Sequence, residues 1–158
     1  LDTLVTQNIG GLHQLAGSSR ERVIEIHGTI REVACLGCTY RVPMQEVLKR
    51  LAAGEEDPDC PDCGGILKSA TISFGQSLVA RDLARAEQAA RACDLLLAVG
   101  STLSVYPVAG LVPIAKESGA RIVIMNGEPT AMDDIADAVL LGDLNEVLPR
   151  VLAGTAHQ

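Results

Sequence analysis

The 158-residue chain carries 13 basic and 20 acidic side chains, for a formal charge of −7, and 47% of its residues are apolar while only 2% are aromatic. That is one ordinary domain's worth of chain, with a core of branched aliphatic side chains, and its composition is neither disordered nor collagenous. The acidic balance argues against nucleic-acid binding by bulk charge, and Tyr40, Phe74 and Tyr106 are too few aromatics for a base-stacking platform.

The longest apolar runs, such as 95–99, are far too short to cross a bilayer, and no signal-peptide pattern is present, so no membrane role is expected. The chain opens on Leu1 rather than Met and is expected to be a piece of a longer protein.

In chain order, Leu4-Val5 leads into the polar strand end Thr6-Gln7-Asn8, and Leu12, Leu15 and Ala16 predict a short helix stopped by Gly17-Ser18. Residues 22–26 alternate like a strand and run into His27-Gly28. From Ile30 to about Ile72 the composition changes. Four cysteines appear, Pro43 opens a helical stretch with Met44, Val47, Leu48 and Leu51 on one side, and residues 53–59 form an acidic loop. This segment reads as an insertion.

Beyond the insertion, Leu83, Ala86, Ala89 or Ala90 and Cys93 share one helical face, with Cys93 expected in the core. The apolar run 95–99 ends at Gly100, and Val108, Leu111, Val112 and Ala115 mark a second helix. Residues 122–125 end at Asn126-Gly127, residues 138–141 end at Gly142, and Val147, Leu148, Val151 and Leu152 mark a third helix. Unbroken apolar runs predict strands covered on both faces. Their alternation with helices predicts an α/β fold with a parallel sheet and right-handed crossovers. In such a sheet ligands bind beyond the carboxyl ends of the strands, which directs attention to residues 100–102, 126–128 and 142–144.

Cys35-Leu36-Gly37-Cys38 and Cys60-Pro61-Asp62-Cys63 are two C-x-x-C knuckles separated by 21 residues. Two residues between thiolates let both sulfurs face one tetrahedral ion, and Gly37, Gly64 and Gly65 permit the tight turns whose amides point at sulfur. One structural Zn2+ with all four positions filled is the expected occupant, and it implies a reducing compartment, the cytoplasm. A pair of disulfides or a thiol redox motif are the alternatives, although a disulfide within one knuckle would close a very small ring.

Taken together, Thr6-Gln7-Asn8-Ile9-x-Gly11-Leu12-His13-x-x-Ala16-Gly17, His27-Gly28, the paired knuckles, Phe74-Gly75, Gly100-Ser101-Thr102-Leu103-x-Val105-x-Pro107 and Asn126-x-Glu128-x-Thr130 resemble the sirtuin family of NAD-dependent protein deacylases in order and spacing. The resemblance runs from about residue 3 to residue 152. It implies a Rossmann-like NAD-binding domain over residues 1–29 and 73–153, an inserted small zinc-ribbon module over 30–72, and a tail over 154–158. It further implies a protein-lysine deacylase that yields nicotinamide, O-acyl-ADP-ribose and free lysine, with acylated lysine in proteins as its partner.

By this resemblance His27 is the base that takes a ribose hydroxyl proton, a task suited to a side chain that titrates near neutrality. Gln7 and Asn8 match the pair at the nicotinamide ribose, where neutral amides donate and accept at once. Gly100, Ser101 and Thr102 match a ribose and phosphate contact, and Asn126 and Glu128 match the contacts to the adenosine ribose. Leu144 falls near the adenine edge. Ile72, Phe74 and Gly75 match the place where the acyl peptide adds as a strand, with Phe74 in the acyl-lysine tunnel or in core packing. Of the other histidines, His13 is expected to pack or cap and His157 to lie in the tail.

The pattern is broken in places. Gly10 stands where the family usually has Asp, Gln76 where it has Glu, Ser69 where it has Pro, and Ser101-Thr102 inverts the commoner order. The family's glycine-rich pyrophosphate loop precedes the Gln-Asn motif, and nothing in this sequence matches it. Two other readings follow from these departures. One is an NAD-cleaving or ADP-ribosyl-transferring enzyme, and the other is a catalytically weak sensor that binds nucleotide or acyl peptide.

Overall fold

The computed structural model describes residues 1–154, and its internal contacts divide the chain into a unit over Leu1–Leu83 and a second beginning at Ala84. The first unit runs β1 (Leu4–Thr6), α1 (Leu12–Leu15), β2 (Val23–Glu25), β3 (Gly28–Cys35), β4 (Arg41–Pro43), α2 (Met44–Ala52) and β5 (Leu67–Thr71). Helix α3 (Ala80–Ala92) crosses the unit boundary. The second unit continues with β6 (Leu95–Val99), a short 3-10 turn at Val108–Gly110, α4 (Leu111–Glu117), β7 (Arg121–Asn126), β8 (Ala138–Leu141) and α5 (Leu144–Gly154). Gly154, expected in the tail, closes α5, and the rest of that tail with His157 lies outside the described residues.

In the first unit β1 and β2 pair in parallel, with Leu4 opposite Val23 and Thr6 opposite Glu25. Val23, Ile24 and Ile26 are all buried, so β2 is a core strand whose carboxyl end delivers His27. A separate antiparallel sheet, ordered β4-β3-β5, carries the cysteine segment. Pro43 stands just ahead of α2, where its missing N–H and fixed φ cost nothing. Of the expected apolar face of α2 only Val47 is buried; Leu48 and Leu51 remain 50% and 43% exposed. Helical periodicity named the face, but this small sheet offers too little surface to cover it.

In the second unit β6, β7 and β8 form a parallel sheet in that order. Central β7 meets the expectation of a strand covered on both faces. Ile122, Ile124 and Met125 are fully buried, each worth about 1.5–3 kcal/mol of transfer free energy. Strand β6 does not: Leu95, Leu97 and Val99 are 52%, 46% and 40% exposed, and Leu140 and Leu141 of β8 are also open. An apolar run identifies a strand, but its place at the edge of the sheet decides how many of its faces find a partner. Leu111, Val112 and Ala115 of α4 are buried, as are Ala86 and Ala90 of α3. Cys93, expected in the core, sits just past α3 half-buried, its thiol directed at the Ala90 carbonyl at 3.4 Å.

One carboxylate fastens the strand crossover. Asp137, just before β8, accepts the Ile122 N–H at 2.7 Å and the Lys116 ammonium at 2.8 Å. The Lys116 hydrogen bond, helped by the Ile122 amide, holds this carboxyl below its usual range. A depressed folded-state value means that stability is fully present above the ordinary carboxylate range and is lost as pH falls through the folded value. Asp137→Asn is therefore expected to lower Tm at neutral pH, with the gap from the parent closing in acid. Melting curves over that pH range check it, and a gap independent of pH would contradict the account.

Candidate functional site

In the first unit the site begins where β2 ends. The Ile26 N–H donates to the Thr6 carbonyl at 3.1 Å, continuing the parallel ladder, so that His27 arrives beside Gln7. His27 Nδ1 lies 3.3 Å from the Gln7 carbonyl oxygen. A carbonyl only accepts, so this contact places the proton on Nδ1 and leaves the Nε2 lone pair available. The His27 carbonyl accepts the Ile72 N–H at 2.9 Å, which ties the expected base to the segment expected to bind peptide. Gly28 has φ +74, and a Cβ there would strike the Ala70 carbonyl of β5. The glycine after His27 is thus required by the close approach of a neighbouring strand.

Around this centre Asn8 is exposed, its N–H donating to Thr6 Oγ1 at 3.1 Å. Phe74 is 100% exposed and packs in no core among the described residues, and Gly75 follows with φ +85. The departure at Gln76 has a structural role that motif reading missed. Its Oε1 accepts from the Ser73 N–H at 2.8 Å and from Lys68 Nζ at 3.2 Å, while Lys68 also donates to the Thr71 carbonyl at 2.6 Å. A neutral amide closes the loop that carries Phe74. Gly10 offers no side chain, and its carbonyl accepts Arg31 Nε at 2.9 Å.

In the second unit the expected nucleotide residues fall at the carboxyl ends of β6 and β7. Gly100 has φ +62, and a Cβ on it would come within 3.1 Å of Leu144 Cδ1 at the start of α5, so these two are brought together. The Ser101 Oγ accepts the Leu103 N–H at 3.2 Å, and Thr102 Oγ1 shares a 2.8 Å hydrogen bond with Ser104 Oγ. Leu103 is buried with φ 53, an unusual conformation for a branched side chain that this turn enforces. Asn126 donates its side-chain amide to the Glu128 carbonyl at 2.7 Å, which leaves the Glu128 carboxylate exposed beyond the strand end.

The four knuckle sulfurs converge. Cys35, Cys38, Cys60 and Cys63 each present one Sγ, and all lie within 4.8 Å of one another. The Cys35–Cys63 and Cys38–Cys60 sulfurs are each 3.6 Å apart. A tetrahedron with Zn–S bonds of about 2.3 Å has edges of about 3.8 Å. The donor set and spacing therefore fit one zinc ion, and no pair is at disulfide distance.

The Gly37 N–H donates to Cys35 Sγ at 3.2 Å and, as the largest influence, lowers that thiol to about 7. At Cys38 the Tyr40 N–H pulls the same way, but desolvation and the three neighbouring sulfurs outweigh it and push the thiol up to about 12. Four thiolates this close call for a cation between them. A Cβ on Gly65 would lie 3.1 Å from both Cys35 and Cys63 sulfurs, so the second knuckle's glycine is needed for the closure.

Parallel strands and a four-cysteine centre on an antiparallel sheet define a mixed α/β protein with a cluster that fits a metal ion. Residues 1–107 match the model of the Sir2 family. The chain is 49% identical over 151 residues to NAD-dependent protein deacetylase 2 of Streptomyces coelicolor, covering 96% of this chain and 63% of that relative. It is 41% identical over 150 residues to NAD-dependent protein deacylase 2 of Archaeoglobus fulgidus, covering 94% and 58% respectively. Among solved structures, one described as "Sir2-p53 peptide-NAD+" superposes with a TM-score of 0.89 at 34% identity, over 100% of this chain and 65% of that one. The chain belongs to the Sir2, or sirtuin, family. It spans about 60% of the length of the curated relatives it matches.

Proposed function

We propose that this chain forms the larger part of an NAD-dependent protein-lysine deacylase. The observation that carries the reading is His27: its Nδ1 proton is held by the Gln7 carbonyl at 3.3 Å, and its own carbonyl holds Ile72 at 2.9 Å. That arrangement leaves Nε2 as a base next to the segment assigned to the peptide. The relatives' names supply the NAD dependence and the acyl substrate.

In this reading residues 1–29 and 73–153 make up the nucleotide domain and residues 30–72 the zinc module. Gln7 and Asn8 hold the nicotinamide ribose. Gly100, Ser101 and Thr102 contact ribose and phosphate through small side chains and open backbone. Asn126 and Glu128 hold the adenosine ribose, and Leu144 packs against the base. An acylated peptide pairs with the backbone at Ile72, Phe74 and Gly75, which gives affinity with little demand on sequence. NAD supplies the electrophilic sugar carbon and nicotinamide as leaving group. With both bound, the acyl oxygen would bond to that carbon as nicotinamide leaves, His27 Nε2 would take the proton of a ribose hydroxyl as that oxygen adds to the acyl carbon, and one water would complete the release of free lysine, the acyl group staying on the sugar.

The four-thiol centre supports a reducing, cytoplasmic setting. No helix among the described residues is long and apolar enough to cross a membrane.

The test is nicotinamide release by the intact protein with NAD and an acetyl-lysine peptide. Release that requires the peptide, together with its deacetylation, is the expected result. Release of equal rate without peptide would replace this reading with NAD cleavage.

A further inference from the structure

Residues 71–76 of the first unit divide their backbone groups between the protein and open space. Lys68 Nζ donates to the Thr71 carbonyl at 2.6 Å, and the Ile72 N–H donates to the His27 carbonyl at 2.9 Å. Ser73 directs both of its groups at one residue: its N–H donates to Gln76 Oε1 at 2.8 Å, and its carbonyl accepts the Gln76 N–H at 3.0 Å. Among the described residues the N–H and carbonyl of Phe74 make no hydrogen bond, and its side chain is fully exposed.

Little besides the Gln76 side chain holds this turn closed. Residues 73–76 are exposed, and a Cβ on Gly75 would meet nothing within 4 Å, so packing does not fix the turn. The single backbone bond across it competes with water and is a weak constraint. Gln76 Oε1 adds two more ties, because it accepts both the Ser73 N–H and Lys68 Nζ, the latter at 3.2 Å. The same ammonium holds the Thr71 carbonyl, so the end of β5 and the turn beyond it are fastened at one point. Both partners of Oε1 are donors. Position 76 therefore needs an acceptor, and a carboxylate would serve there as an amide does.

We propose that Gln76 and Lys68 are positioning residues for the acyl peptide. Their clamp occupies the polar groups of Thr71 and Ser73 and leaves those of Phe74 open to an incoming strand. A segment already held in its bound conformation loses less freedom when the peptide arrives, and that saving appears as affinity. This inference rests on the assignment of the peptide to Ile72, Phe74 and Gly75. The tie between Ile72 and His27 involves neither Gln76 nor Lys68, so loss of the clamp falls on peptide binding rather than on the chemical step.

The experiment measures, on the intact zinc-loaded protein, the Kd of an acetyl-lysine peptide with alanine flanks by calorimetry, and steady-state kinetics with peptide and NAD varied in turn. Gln76→Ala should weaken peptide Kd and raise peptide KM by about tenfold, the worth of the two lost hydrogen bonds. Its kcat at saturating peptide, its KM for NAD and its Tm should stay near the parent values. Gln76→Glu keeps the acceptor and should bind the peptide within about twofold of the parent. Lys68→Met should weaken binding too, and the double variant by less than the product of the two single effects, because the pair shares a bond. Parent-like peptide affinity in Gln76→Ala, a loss shared equally by kcat or by the KM for NAD, or a Gln76→Glu variant as impaired as Gln76→Ala would overturn the proposal and leave the deacylase reading standing. A parent protein that binds no acetyl peptide would instead remove that reading, and the clamp's role with it.

Discussion

His27→Ala in the intact protein is expected to lower kcat/KM for deacylation by about 10²–10⁴-fold, the usual worth of a positioned general base. The loss should fall on kcat, because Ile72 is held by the His27 backbone carbonyl, which alanine retains. Peptide affinity should therefore stay near the parent value, and Tm should move little, since the imidazole is only half-buried and makes one long hydrogen bond. Gln7→Ala provides the contrast. The contact that orients His27 comes from the Gln7 carbonyl, so this substitution removes the amide side chain and leaves the tautomer in place. It should raise the KM for NAD more than it lowers kcat. Steady-state kinetics of both variants with varied NAD and varied acetyl peptide separate the two roles. A His27→Ala enzyme within about tenfold of the parent would remove the assigned base.

Removing the metal is expected to have the largest structural effect. Residues 30–72 bury little of their own, chiefly Val33, Val47, Cys35 and Cys60, while Leu36, Leu48, Leu51 and Ile66 stay open to solvent. A segment this small does not hold itself together by apolar burial. The metal's binding free energy, about 10 kcal/mol or more for structural zinc, is then folding free energy for the module.

Chelation, or Cys60→Ser, should expose the segment around residues 36–66 to proteolysis while the second unit keeps its protection, because Ile122, Ile124 and Met125 owe nothing to the cysteines. Elemental analysis of the untreated protein should give one zinc per chain. Full resistance of the chelated segment to protease, or absence of bound zinc, would contradict the account.

The two experiments concern features that were legible to different degrees. The knuckles could be read directly, because two residues between cysteines leave few geometries for the sulfurs, and the four Sγ atoms do converge. His27 was legible through its motif, but its tautomer was not. That is set by a carbonyl 20 positions away, delivered by the parallel pairing of β1 and β2. The acyl-peptide residues were placed on the chain by resemblance, whereas the clamp between Lys68 and Gln76 that closes the Phe74 loop is visible only once the chain has turned back on itself.

The sequence by itself determined the strands and helices of the second unit, the four cysteines that converge and the family. Each is written in local spacing: apolar runs, helical periods, and cysteines two residues apart. Tertiary structure decided which apolar runs are covered. Residues 95–99 and 122–125 read alike, yet β6 lies at an edge with alternate side chains open and β7 lies between two strands. It also decided that Gly28 must be glycine. Burial, close approach and convergence depend on which residues distant in sequence become neighbours, and that information appears only when the chain is folded.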